Sequence, residues 1–224
     1  MCSSDLTVTI HDDNGGSDTK TFMVTVANVA PTLGVTPSTT SSNEGQPVSF
    51  DALFSDPGFD NPLNPSGEME ESFTVDVDWG DGRDAVVGMA VSDAGGGPST
   101  PSSGTFAGSH TYADDGTYTV TVTIHDDNGG SDTKTFMVTV DNVAPTLGVT
   151  PSTTTIDEGQ SVSFDALFSD HAFDNPLNPV GELAESFTFD VDWGDGRDAI
   201  LDLSVVDSNG SPGVPSTGMF SGSQ

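Results

Sequence analysis

Basic side chains are nearly missing from this chain. Lys20, Arg83, Lys134 and Arg197 stand against 35 acids, for a formal net charge of −31. Nucleic acid and anionic bilayer surfaces are held by Lys and Arg, so no nucleic-acid partner is expected. Cys2 is the only cysteine, which excludes a disulfide framework and a thiolate metal site. No apolar run reaches the roughly 18 residues of a membrane span, so no membrane insertion is expected. Residues 1–6 lack the charged start and apolar core of a signal peptide. A helical period is absent throughout. So is Gly-x-Ser-x-Gly, and no Ser/His/Asp arrangement stands out. His11, His110, His125 and His171 show no metal-ligand spacing. A glycosidase carboxylate pair needs a pocket that a small sandwich rarely offers. The chain therefore reads as not an enzyme.

What is present is a repeat. Ile10-His11-Asp12-Asp13-Asn14-Gly15-Gly16 recurs as Ile124-His125-Asp126-Asp127-Asn128-Gly129-Gly130, an offset of 114 residues. Trp79-Gly80-Asp81-Gly82 recurs at the same offset as Trp193-Gly194-Asp195-Gly196. A period this long means tandem globular domains, because solenoid units are shorter. The register divides the chain into three. Residues 1–27 are the C-terminal hairpin of a truncated repeat, with 1–6 foreign to it and reading as an assembly artefact. Residues 28–141 are one complete domain. Residues 142–224 are a domain cut before its last two strands. The expectation is a piece of a longer array.

Alternation fixes the fold class. Over 117–124, Tyr118, Val120, Val122 and Ile124 share one face and threonines the other, a half-buried strand. Asn128-Gly129 predicts a type I′ hairpin turn into 133–140, with Phe136, Val138 and Val140 inward. Phe73, Val75, Val77 and Trp79 face the core from 73–79, and Val48, Phe50 and Ala52 from 48–54. Weaker strands are expected over 33–36 and 85–91, and a short one over 109–112. About seven strands without a helix make an all-β, immunoglobulin-like sandwich. Asp114-Asp115-Gly116-Thr117-Tyr118 has the spacing of a tyrosine corner, in which the Tyr118 hydroxyl bonds back to the chain.

Val77-Asp78-Trp79-Gly80-Asp81-Gly82, Ser109-His110-Thr111-Tyr112 and Gly116-Thr117-Tyr118-Thr119-Val120-Thr121-Val122 stand in an order that resembles the PKD (polycystic kidney disease type) domain. The resemblance covers the complete repeat and, by register, both partial ones. It makes Trp79, Gly80, Asp81, Gly82, His110, Tyr112 and Tyr118 structural motif residues, with Trp193 and Asp195 as counterparts. The repeat departs from the family in two insertions, at 56–72 and 94–105. It also places Trp79 directly before Gly-Asp-Gly, with Val77 where the family usually has Trp. Acidic arrays of such domains resemble those of large bacterial surface proteins, which implies an extracellular or cell-surface spacer or adhesion role. Neighbouring repeats, cell-surface proteins and polysaccharide are the implied partners. The alternative is a polysaccharide-binding accessory module of a secreted hydrolase, with Phe59 and Phe173 as exposed aromatics.

Crowded carboxylates repel unless screened, by bound cations or by a salty medium. Some PKD domains of secreted collagenases bind calcium in the loop leading to the Trp strand. The resemblance thus points to Asp56 and Asp60, and to Asp170 and Asp174 in the next copy. Calcium takes six to eight oxygens, which acidic loops supply. Glu44 and its counterpart Glu158 are further candidates, as are Asp141 and Asn142 at the junction, where the site resembles a cadherin-type linker. The competing readings are that Asp56 and Asp60 cap turns and that the acidity is salt adaptation. Finally, strand exchange is expected, the hairpin of one molecule completing the cut sandwich of another.

Overall fold

A computed structural model describes residues 2–63, 69–196 and 199–224, with side chains from residue 5 onward. Met1, residues 64–68 of the first insertion, Arg197 and Asp198 lie outside it. The chain begins as a hairpin of β1 (Cys2–His11) and β2 (Ser17–Val26). Nine strands follow: β3 (Thr32–Pro37), β4 (Ser41–Asn43), β5 (Pro47–Asp56), β6 (Phe73–Asp78), β7 (Val86–Val91), β8 (Asp93–Ala94), β9 (Ser102–Thr111), β10 (Gly116–Asp126) and β11 (Ser131–Asp141). They form two sheets, ordered β3-β5-β9-β8 and β4-β11-β10-β6-β7. The result is an all-β immunoglobulin-like sandwich, as the alternation predicts.

Period-two sequence is what closes it. Along β5, Val48, Phe50, Ala52 and Phe54 are buried, and along β10 so are Tyr118, Val120, Val122 and Ile124. Phe73, Val75, Val77 and Trp79 meet them from β6, and these side chains make one core between the sheets. Each apolar side chain fully moved from water to such a core is worth about 1.5–3 kcal/mol.

Two local expectations fail for physical reasons. The strand expected over 109–112 is the end of a ten-residue strand, Ser102–Thr111. Gly104 and Gly108 occupy two of its inward positions and leave room for the rings of Phe54 and Phe50. The strand therefore lacks the apolar alternation that would announce it. The Asn-Gly turn is not type I′, which needs positive φ at both central residues. Only Gly129 is positive (φ 90). The Asp126 carboxylate accepts from the N–H groups of Asn128 at 3.0 Å and Gly130 at 2.6 Å, and so holds a longer connection.

The remaining strands are β12 (Thr146–Pro151), β13 (Ser163–Asp170), β14 (Phe187–Val191), β15 (Ile200–Val205), β16 (Asp207–Ser208) and β17 (Ser216–Ser223). The sheet β12-β13-β17-β16 repeats the order of β3-β5-β9-β8. Strands β14 and β15 pair as a separate hairpin, in the places that β6 and β7 hold in the complete repeat.

Candidate functional site at the joint between units

The Trp79-Gly80-Asp81-Gly82 corner and the β9–β10 connection build one end of the complete sandwich. Trp79 is buried, its ring stacked 5.2 Å from His110 and tilted against Phe50. The Tyr112 hydroxyl donates to the Trp79 carbonyl at 2.9 Å. Tyr118 closes the predicted tyrosine corner by donating to the Asp114 carbonyl at 2.9 Å, and its ring stacks on Tyr112 at 4.3 Å. Asp81 does more than turn the chain. It is buried, accepts from the Arg83 N–H at 3.0 Å and lies 2.8 Å from His110 Nε2. In the next unit Trp193 packs on Phe164, and Asp195 accepts from the Gln224 side chain at 2.8 Å.

The loop after β13 docks on this end. Phe173 N–H donates to the Ala113 carbonyl at 3.1 Å, and the Phe173 ring lies 5.1 Å from the Arg83 guanidinium. Asn175 Nδ2 donates to the Asp81 carbonyl at 3.0 Å and to its carboxylate at 3.2 Å. Glu182 N–H donates to Asp114 Oδ2 at 2.9 Å, and Val143 N–H to Glu44 Oε1 at 2.7 Å. Asn178 Nδ2 reaches the Tyr118 hydroxyl at 3.4 Å. The pair of exposed aromatics expected at Phe59 and Phe173 is therefore not formed. Phe59 stands at 36% exposure, but Phe173 is 1% exposed, because its ring is the centre of the joint.

Carboxyl groups gather around the same joint. Oxygens of Glu44, Asp114 and Asp115 lie within 4.8 Å of one another. Burial pushes the Glu44 carboxyl up to about 7, against the hydrogen bond from Val143 and with help from the charges of Asp170, Asp114 and Asp115. Burial likewise pushes Glu185 up to about 7, aided by Asp114, Glu44 and Asp170. Asp114 is also raised, first by burial.

Of the expected calcium ligands, Glu44 is in this cluster, and Asp170 stands near enough for its charge to raise Glu44. Asp170 also accepts from Ala172 N–H at 2.9 Å. Asp174 caps the Glu185 N–H at 2.9 Å. At the other end of the complete repeat, Asp56 caps Gly58 N–H at 2.6 Å and Asp60 caps Glu71 N–H at 2.9 Å, which is the turn-capping reading. Yet Asp56 Oδ2 is buried with no partner among the described residues, and so is the hydroxyl of Ser102, opposite it in register. Burial holds the Asp56 carboxyl above its ordinary value. Asp141 and Asn142 are exposed, as is Glu158.

Sequence reasoning missed Asp114, Asp115 and Glu185, because tyrosine-corner spacing already accounted for the first two. It also missed Asn175 and Asn178. Both lie in the heptapeptide Phe-Asp-Asn-Pro-Leu-Asn-Pro, which recurs unchanged at 59–65 and 173–179, but much of the surrounding insertion recurs as well, so the repeat did not single them out.

Comparison with known proteins follows this geometry. Residues 98–141 match the family model described as "Putative Ig domain". Among solved structures, the chain is similar to the PKD domain of an M14-like peptidase from Thermoplasmatales archaeon SCGC AB-540-F20. Identity there is 24%, over 51% of this chain and 98% of that one, with a TM-score of 0.35. No curated protein sequence matches. Among the described residues no helix is long and apolar enough to cross a membrane. Residues 32–141 form an immunoglobulin-like β-sandwich, which the family match over 98–141 and the tyrosine corner both support.

Proposed function

We propose that the chain is a non-catalytic structural segment of an extracellular or cell-surface array, a spacer in which sandwiches stack end to end and calcium stiffens the joints. The observation that carries this reading is the joint itself. Six hydrogen-bonding contacts and a cation–π contact tie the loop after β13, and Val143, to the Asp81–Tyr118 end. A flexible linker would need none of them. The contacts are directional, so they set an angle as well as a distance. The accessory polysaccharide-binding reading loses its aligned aromatics once Phe173 is buried.

Calcium fits the donor set. The cluster is all carboxylate oxygen, which suits a hard cation of six to eight ligands. Glu44, Asp114 and Asp115 from one unit, with Asp170 and Glu185 from the next, would hold it. The buried, unpartnered Asp56 Oδ2 is the same position one repeat earlier. Thermal unfolding in millimolar calcium and in chelator, at fixed ionic strength, tests this. Binding to the folded state alone stabilises by RT ln(1+[L]/Kd), about 2.7 kcal/mol at a hundredfold excess over Kd. A midpoint that rises with calcium supports the reading. A midpoint that rises only with sodium chloride assigns the acidity to salt adaptation.

A further inference from the structure

The chain holds two copies of one loop in two different surroundings. Phe59 to Pro65 and Phe173 to Pro179 are identical in sequence. Over the described residues 59–63 and 173–177, both share internal hydrogen bonds. Asn61 Oδ1 accepts from Leu63 N–H at 3.3 Å, as Asn175 Oδ1 does from Leu177 N–H at 3.1 Å. Asp60 and Asp174 cap the N–H groups of Glu71 and Glu185, both at 2.9 Å. The loop is thus preformed, and docking does not have to order it. Their environments differ. Asn175 is 1% exposed against the Asp81 end, whereas Asn61 is exposed and Phe59 is 36% exposed.

We propose that residues 57–63 are a docking plug, and that its partner is the Asp81–Tyr118 end of another copy of this repeat. The inference rests on the spacer reading and names the contact that would propagate it. The chemistry of the partner is given by the occupied joint. A carboxylate and carbonyl at Asp81 receive the asparagine amide, a carbonyl at Ala113 receives the phenylalanine N–H, and Arg83 covers the ring. Arg83 is one of four basic residues in the chain, and it stands where an acidic loop must land. The insertion at 56–72, which sets this repeat apart from a plain sandwich, then has a purpose. Its residues 57–63 are the male half of the joint.

The test is photo-crosslinking in trans with full-length chains carrying Cys2→Ser. One chain has benzoylphenylalanine at position 59. Its isotope-labelled partner carries Phe173→Ala and Asn175→Ala, which empties its own Asp81 end. Adducts on residues 81–84 and 113–118 of the labelled chain should exceed those on a partner with the end filled by about tenfold. Equal labelling of emptied and filled partners overturns the proposal. Unchanged Trp79 emission, read with Trp193→Phe in the background, certifies that the emptied end stays folded. Where it changes, Asn175→Asp replaces the double variant, setting a charge against Asp81. Benzoylphenylalanine at 173 is the arm in cis. Failure of that arm alone strikes the stacked joint and hence the spacer reading, and success of that arm with failure in trans strikes the plug.

Discussion

Gly82 shows how a single residue can serve two bodies. Its φ is +79, a left-handed conformation in which a side chain costs roughly 1–2 kcal/mol. A Cβ there would also run into the Leu177 carbonyl of the docked loop. Gly196, 114 residues on, has φ +78 and nothing within 4 Å of its would-be Cβ. The two positions therefore separate backbone strain from docking. Both Gly82→Ala and Gly196→Ala should bear the strain, but only Gly82→Ala should loosen the joint. Hydrogen exchange of the Phe173 amide, bonded to Ala113, reads the difference. Local opening should quicken by about tenfold or more in Gly82→Ala and stay unchanged in Gly196→Ala. Equal exchange in both variants would mean that the loop does not rest on Gly82. The sequence announces this glycine as a turn former. Its second task is set by a chain segment 95 residues away and has no local signature.

At the scale of elements, the joint is a loop set on a corner, with acids packed between. Glu44 and Glu185 are both pushed up from 4.5 to about 7 by burial and by neighbouring carboxylates. Raised carboxyls bind protons in the docked state that the unfolded chain has already released. Their favourable contribution is thus complete below about pH 4.5 and is lost as pH rises through about 7. In chelator, the first thermal transition should fall between pH 5 and pH 8. Glu185→Gln, neutral at every pH, should flatten that fall. A flat profile in the unaltered chain would show that these acids ionise freely in the joint. Calcium should matter most at the alkaline end, because its ligands must be deprotonated and its binding expels their protons. Most of the elements meeting here were legible. Alternation gave β5, β6, β10 and β11, because one face of each meets the core and the other water. The glycine-rich inward face of β9 hid that strand. The carboxyl cluster was only half legible, since Glu44 and Asp170 approach through docking that no periodicity encodes. The turn acids Asp56 and Asp60 were legible as a choice between capping and calcium, and capping is what each one's Oδ1 does.

On the scale of the whole molecule, the strands left without partners decide how it behaves in solution. Leu6, Val8, Ile10, Phe22, Val24 and Val26 on the β1–β2 hairpin are between 42% and 71% exposed. Their counterparts Val120, Val122, Ile124, Val138 and Val140 are all buried, and Phe136 packs against the same core. In the complete sandwich, β10 pairs with β6 so that Val122 faces Val77 and Ile124 faces Val75. Strand β14, the counterpart of β6, pairs with β15 alone among the described residues and leaves that edge bare. An unpaired edge beside an apolar face is a template for another chain. The equivalent register sets Val8 of one molecule opposite Val191 of a second, and Ile10 opposite Phe189. Six apolar side chains at about 1.5 kcal/mol each reach the roughly 8 kcal/mol of a micromolar complex. The new ladder of hydrogen bonds works against the cost of association. Because hairpin and edge are different surfaces, the contact is heterologous and need not close, so head-to-tail chains are expected to outnumber closed dimers. Light scattering across micromolar concentrations should show mass growing with concentration. Val8→Asp with Ile10→Asp should return the protein to a monomer, since two carboxylates would enter the core. A chain that stays monomeric throughout, with both valine and isoleucine in place, would mean that the hairpin face does not recognise the β14 edge.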